Sequence, residues 1–94
     1  MANKKNFLFI MCDQLRADYL SCMGHDRLET PHIDGLASKG VLFTRAYCQT
    51  PICGGSRMNF YTGRYAFTHG ACWNGIPLNL NEKTIGDYLK PLGY

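Results

Sequence analysis

The first pattern along the chain is a short, uninterrupted apolar segment. Residues 6–12 run Asn-Phe-Leu-Phe-Ile-Met-Cys and are followed directly by the acidic Asp13. A run of this length is short for a helix, and its continuous apolar character is typical of a strand that is buried on both faces. Such strands occur in parallel sheets that are covered by helices. The segment therefore predicts an inner strand of an α/β fold.

A helical pattern and a second strand pattern follow the polar residues 14–29. Thr30 and Pro31 are typical of a helix start, because threonine can cap a helix and proline suits its first position. Gly40 is typical of a helix end. Apolar residues between these signals repeat at helical spacing: Ile33, Leu36 and Ala37. Residues 41–47, rich in aromatic and β-branched side chains, then predict a strand and complete a strand, crossover helix, strand unit.

The remainder of the sequence alternates turn signals with two helical patterns. Residues 49–51 predict a turn, and residues 56–61 predict a helix that ends at Thr62 and Gly63, which places Cys53 just before the helix N-terminus. The glycine, asparagine and proline content of residues 64–81 predicts a loop. Residues 84–90 predict a last short helix that ends before Pro91.

Composition and charge limit the classes of function. The 94 residues carry ten Lys and Arg against seven Asp and Glu, a net charge of +3 without a basic run, so no nucleic-acid partner is predicted. A hydrophobic fraction of 46% is typical of a globular core. Two strands of a parallel sheet cannot bury both of their faces, so we expect an incomplete fold.

The cysteines and the N-terminal residues are used to predict the cellular compartment. Five cysteines are an odd number, their spacing is irregular, and none forms a CxxC pair, so neither a disulfide scaffold nor a zinc ribbon is predicted. The apolar run after the N-terminus is shorter than a signal-peptide core and far shorter than a membrane span. These features predict a cytoplasmic protein without a membrane partner.

One segment carries candidate chemistry around a cysteine. In Cys53-Gly54-Gly55-Ser56-Arg57 the glycines allow a close approach of backbone amides to a ligand, and the guanidinium of Arg57 suits a tetrahedral oxyanion such as sulfate or phosphate. The segment thus predicts a nucleophile precursor beside an anion site. The alternative from composition alone is a glycine-rich turn with a buried cysteine and a surface arginine.

Two polar residues follow the first predicted strand. Asp13 lies where open α/β sheets place their ligand crevice, and a carboxylate there suits a hard divalent cation such as calcium, magnesium or manganese. A turn-forming aspartate is the alternative. Gln14 is either a neutral ligand or substrate contact, or a solvated loop residue.

Several motifs in register resemble those of one enzyme family. These motifs are Asn6 to Ile10 with Asp13-Gln14, Thr30 to Phe43, Cys53 to Arg57, and Thr62 to Tyr65. Through them the sequence resembles, over essentially all its length, the N-terminal part of type I sulfatases of the alkaline-phosphatase-like superfamily. Its Asp-Gln pair with His69 and Asn74 is especially similar to the branch of phosphonate monoester hydrolases and choline-sulfatase-like enzymes.

The resemblance implies a fold, a reaction and roles for individual residues. The fold would be the N-terminal part of a mixed, mostly parallel sheet flanked by helices, with residues 1–94 as one segment of the catalytic domain. Cys53 holds the position that a maturation enzyme converts to formylglycine, whose hydrated form attacks the sulfur of a small anionic ester beside a divalent metal, with calcium favoured. Arg57 would steady the nucleophile, and Asp13 and residue 53 would contact the metal. Gln14 and Asn74 would lie near the metal or near substrate oxygens, and we expect them to bind substrate.

Two departures from the family pattern leave alternatives open. Gly55 stands where the family usually has a rigid proline, in the short segment that the maturation enzyme reads. Whether Cys53 is converted is therefore left open. The family's remaining metal and substrate ligands fall beyond residue 94, so we expect the segment to be inactive alone. A phosphonate or phosphate ester hydrolase, and a non-catalytic anion-binding relative with an unmodified Cys53, remain alternatives. The oligomeric state cannot be predicted from these motifs.

Overall fold

The computed structural model describes residues 5–94 and divides the chain into two compact units, one ending at Thr44 and one beginning at Arg45. Short helices are the regular elements of the described residues: α1 (Pro31–Ala37), α2 (Cys53–Thr62), α3 (Ala66–His69) and α4 (Ile85–Leu89). Single 3-10 turns complete them at Ala17–Tyr19, Ser21–Met23 and Lys90–Leu92.

The first unit contains α1, and this helix was predicted. Pro31 is its first residue, and the backbone N–H of Asp34 donates to the carbonyl of Thr30 at 2.9 Å. The hydroxyl of Thr30 does not cap the helix backbone but donates to Oδ1 of Asp34 at 2.9 Å. Asp34 also accepts from the Ser21 hydroxyl and from the Cys22 N–H, so one carboxylate joins α1 to the 3-10 turn Ser21–Met23.

Helix α2 begins earlier than the sequence pattern predicts. Cys53 is its first residue, not a residue before it, and Gly54 and Gly55 lie in its first turn. The first helical hydrogen bond runs from the N–H of Ser56 to the carbonyl of Ile52 at 2.8 Å. Gly63 ends the helix in the left-handed region at φ 67°, as predicted.

The prediction of a loop over residues 64–81 was wrong at α3, which packs against α2. This single turn ends at Gly70, whose φ of 81° favours glycine. The prediction of α4 is confirmed. Its start is fixed by Asp87, whose carboxylate accepts from the backbone N–H and the hydroxyl of Thr84, each at 2.8 Å. Both donors lower the pKa of Asp87, the backbone N–H most.

Neither predicted strand pairs with another segment among the described residues. Residues 6–12 and 41–47 have no strand hydrogen bonds there, and neighbouring side chains such as Phe7 and Leu8 are 77% and 87% exposed. A strand requires a neighbouring strand in a hydrogen-bonded ladder and cover for its apolar faces, and no such ladder includes these segments among the described residues. The α/β class with a mostly parallel sheet stays a prediction. Within residues 5–94, no helix combines the length and apolar character needed to cross a bilayer.

Candidate functional site

Cys53 lies at the exposed start of α2, in contact with the side chain of Asn74. Its Sγ is 3.1 Å from Oδ1 of Asn74, and the same oxygen accepts from the backbone N–H of Gly54 at 2.8 Å. Ile52 precedes the helix in an extended conformation and does not cap it with its own side group. Asn74 therefore supplies from 20 residues away the acceptor that a local capping residue usually provides.

Gly54 is required by this contact. A Cβ on residue 54 would lie 2.6 Å from Oδ1 of Asn74 and 3.3 Å from its Cα. Any side chain there would push the amide away from the helix start. The close approach of Asn74 to the backbone thus depends on the first of the two glycines.

Gly55 is buried, and its surroundings explain the absence of proline at this position. A Cβ on residue 55 would lie 2.8 Å from Cγ2 of Thr50 and 3.2 Å from the carbonyl oxygen of Ala71. Proline carries that Cβ within its ring, so it would displace the Thr50 methyl group. Gly55, which stands where the family motif has proline, therefore lies at a point of α2 where Thr50 and Ala71 leave no room for a Cβ.

Arg57 lies one helical turn beyond Cys53 on α2. Residues four apart share a helix face, so the guanidinium and the thiol project from the same side of the element. Arg57 is half-buried. The role of Arg57 toward an oxyanion stays a prediction.

Sequence reasoning did not find the polar network beneath the site. His69 is fully buried and accepts at Nδ1 from the N–H of Ala71 at 3.1 Å. Nε2 must then carry the hydrogen, and it donates to Oδ1 of Asn59 at 2.7 Å. Nδ2 of Asn59 in turn donates to the hydroxyl of Thr50 at 3.0 Å. Both ring nitrogens are engaged, so His69 is a structural residue that links α3 to α2.

Asp13 and Gln14 belong to the first unit, whereas Cys53, Arg57 and Asn74 belong to the second. Asp13 and Gln14 are both exposed, and Gln14 has a φ of 53°, a left-handed conformation that is uncommon outside glycine. A contact between Asp13 and residue 53 through a metal stays a prediction. Within residues 5–94, no three His, Cys, Asp or Glu side chains come together to hold a metal ion. The described residues therefore do not form a complete metal site.

A cleft of about 500 Å³ lies elsewhere on the second unit. Tyr47, Phe60 and Tyr65 provide its aromatic walls, and Cys53 and Asn74 are not among its described lining residues. Its size alone does not make it a substrate site. The exposed thiol of Cys53, the amide of Asn74 and the start of α2 make the surface around Cys53 the candidate site.

The sequence of the chain is similar to those of known proteins of one family. Residues 5–94 match the family model described as Sulfatase. The chain is 44% identical to the steryl-sulfatase of Mus musculus over 95% of its own length and 16% of that protein. It is 36% identical to the uncharacterized sulfatase YidJ of Escherichia coli (strain K12) over 97% of its length and 18% of that protein. It is 32% identical to an ulvan-active sulfatase of Formosa agariphila over all of its length and 19% of that protein.

The chain thus spans less than a fifth of each of these relatives, and the family match covers every predicted site residue. The match extends across both units and includes the cysteine-containing start of α2. We conclude that the chain belongs to the sulfatase family.

Proposed function

We propose that this chain serves a hydrolase that cleaves sulfate monoesters, with residue 53 as a formylglycine nucleophile. The observation that supports the proposal best is the exposed position of Cys53 at the start of α2, with Sγ 3.1 Å from Asn74 Oδ1, in a chain of the sulfatase family. A thiol packed in an apolar interior would have argued against it. Hydrated formylglycine supplies a hydroxyl nucleophile and a second hydroxyl that lets the sulfated intermediate collapse.

The residues around Cys53 can orient this group. The amide of Asn74 accepts from the thiol in the unmodified protein, and in the same position it can accept from a hydroxyl of residue 53. The N-terminal end of α2 carries partial positive charge that favours an anionic ester. In this proposal the guanidinium of Arg57 stabilises the negative charge that develops on the ester. The side chains of Gln14 and Asn74 bind the oxygens of the ester.

A divalent metal belongs to this proposal as a family property. Asp13 would provide one carboxylate ligand, and the oxygen of modified residue 53 a second contact, with calcium as the ion that suits such hard ligands best. The family resemblance implies further metal ligands beyond residue 94. The fold we propose around the site is the α/β sheet of the alkaline-phosphatase-like superfamily.

Two alternatives use the same residues. A phosphonate or phosphate ester hydrolase would keep the nucleophile and differ in residues that select sulfur or phosphorus. A non-catalytic anion-binding relative would keep Cys53 as a thiol, and the unusual Gly55 is the feature that favours this second alternative. We also propose a reducing, cytoplasmic location, in keeping with five free cysteines.

Mass spectrometry of the Cys53 peptide tests the nucleophile. Production beside a formylglycine-generating maturation enzyme should convert the thiol to an aldehyde, with a loss of about 18 Da. Cys72 is the matched control, because it is also exposed but lies outside the motif. Conversion confined to Cys53 supports the proposal, and an intact thiol at Cys53 in all molecules contradicts it.

Activity is tested on the whole protein that carries this chain. Aryl sulfate and phosphonate ester substrates, each with divalent metal added and removed, separate the sulfatase from its alternative within the superfamily. We expect sulfate ester cleavage to require both the metal and the conversion of Cys53. Faster cleavage of the phosphonate ester would favour the alternative hydrolase.

A further inference from the structure

A second candidate modification site is Asn74, whose side chain contacts Cys53. In the whole sequence, Asn74-Gly75 is the single Asn-Gly pair. Glycine has no side chain to shield its amide nitrogen, so this nitrogen can reach the amide carbonyl of the preceding asparagine more readily than that of any other residue. We propose that Asn74 deamidates spontaneously in the folded protein and places a carboxylate at the start of α2.

The backbone around this pair leaves room for the reaction. Asn74 and Gly75 are both exposed, and nothing lies within 4 Å of the position that a Cβ on Gly75 would occupy. The turn that contains them is closed by a long hydrogen bond, from the N–H of Ile76 to the carbonyl of Trp73 at 3.3 Å. Gly75 has a φ of 81°. A weakly closed, glycine-containing turn can open to the geometry that cyclisation needs.

The contacts of Asn74 favour the attack. The Gly54 N–H and the Cys53 thiol both donate to Oδ1, the oxygen that gains negative charge when a nucleophile adds to Cγ. Donors aimed at such an oxygen stabilise the tetrahedral adduct, as in an oxyanion hole. They therefore activate the same carbonyl that the exposed turn makes accessible.

The reaction consumes one water and releases one ammonia. The backbone nitrogen of Gly75 loses its proton to solvent and bonds to Cγ of Asn74, the bond between Cγ and Nδ2 breaks, and ammonia leaves with a solvent proton. Water then opens the five-membered imide at either carbonyl, which gives aspartate or isoaspartate at position 74. No atom changes oxidation state in either step.

The product changes the charge beside Cys53. An aspartate at position 74 can still accept from the Gly54 N–H, and a carboxylate is favoured at a helix N-terminus. The new negative charge lies beside Cys53 and repels an anionic ligand. An isoaspartate adds a carbon to the backbone and withdraws the carboxylate from Gly54.

The test follows the full chain at neutral pH and 37 °C beside a free peptide of residues 69–79. Peptide mapping detects a gain of about 1 Da at Asn74, and enzymatic methylation identifies isoaspartate. We expect deamidation at Asn74 in the folded protein at a rate within about ten-fold of the peptide rate. A rate more than about ten-fold below the peptide rate would overturn the proposal.

Two controls accompany this measurement. Asn79, whose Nδ2 donates to the carbonyl of Thr68 at 3.0 Å and which precedes a leucine, should remain unmodified in the same sample. The G75A variant should slow the gain of mass at Asn74 by about ten-fold or more. Equal rates at Asn74 and Asn79 would also contradict the proposal. None of these readouts depends on formylglycine or on hydrolase activity.

Discussion

The imidazole of His69 donates from Nε2 to Oδ1 of Asn59 at 2.7 Å, and this hydrogen bond links α3 to α2. His69 is fully buried, and Asn59 passes the contact on to Thr50. Asn59 belongs to α2, the helix that begins at Cys53, so its hydrogen bonds to His69 and Thr50 hold that helix in place. Its two hydrogen bonds give His69 a structural role in holding α3 against α2.

Replacement of His69 should be costly. H69A removes the donor to Oδ1 of the half-buried Asn59 and the acceptor for the N–H of the buried Ala71, so both groups lose the hydrogen bond that His69 provides. We expect the free energy of unfolding to fall by about 2–4 kcal/mol. Urea denaturation followed by circular dichroism measures the change.

His32 provides the matched control for this prediction. It is exposed on α1, so H32A should change the free energy of unfolding by less than about 0.5 kcal/mol. Equal urea midpoints for H69A and H32A would show that the buried network does not contribute to stability.

A second prediction compares two glycines in helices. In G55A the new Cβ meets Cγ2 of Thr50 and the carbonyl of Ala71, so we expect a loss of about 1–3 kcal/mol in the free energy of unfolding. In G35A the new Cβ meets nothing within 4 Å, so we expect a gain of about 0.5–1 kcal/mol from helix propensity. Thermal and urea unfolding of both variants measure the difference.

The T50S substitution tests the cause of the G55A effect. Serine keeps the hydroxyl that accepts from Asn59 and removes the methyl group that obstructs a Cβ at position 55. The double variant T50S/G55A should therefore recover part of the stability lost in G55A. If the two losses simply add, the methyl contact is not the cause.

The helices could be predicted from the sequence where their signals are local. The start of α1 at Pro31, the end of α2 at Gly63 and the extent of α4 follow from proline, glycine and the spacing of apolar residues over a few positions. The early start of α2 could not be predicted this way, because Gly54 and Gly55 are poor helix formers. The start of the helix at these glycines is supported by Asn74, 20 residues after Gly54, whose Oδ1 accepts from the Gly54 N–H.

In the candidate site, too, some residues could be predicted from the sequence and others could not. Its residues were predicted through the resemblance of whole motifs, because no periodicity relates Cys53 to Asn74, 21 positions later. His69 gave no signal from which burial could be predicted, since its two partners, Asn59 and the Ala71 N–H, are brought to it by the packing of α3 on α2. Strands are harder to predict than helices, because the segments that pair with them are distant in the sequence.

A third prediction concerns acid. The pKa of Asp34 lies below its ordinary value of 3.8, first because the Ser21 hydroxyl donates to it, and then because Thr30 and the Cys22 N–H add donors. A lowered pKa in the folded state means that the ionised carboxylate stabilises the fold above pH 3.8, and that this contribution is lost as the pH falls below that value.

Urea midpoints measured between about pH 6 and pH 3 test this dependence. The unmodified protein should lose stability toward the acid end, and D34N should show a weaker pH dependence and a lower midpoint at neutral pH. D87N is the comparison, because it removes the carboxylate at α4 and leaves the one at α1 in place. An identical slope in D34N and the unmodified protein would contradict the role given to Asp34.

The same carboxylate governs a fourth prediction, the slow alkylation of Cys22. Burial raises the pKa of the Cys22 thiol above its ordinary value of 9.0, and the neighbouring Asp34 raises it further. Alkylation requires the thiolate, so iodoacetamide at neutral pH should label Cys22 several-fold more slowly than exposed Cys72. Labelling of Cys22 should continue to rise with pH above 9, which separates slow ionisation from simple shielding. D34N should raise the rate at Cys22 and leave that at Cys72 unchanged, whereas an equal effect on both would indicate general loosening of the fold.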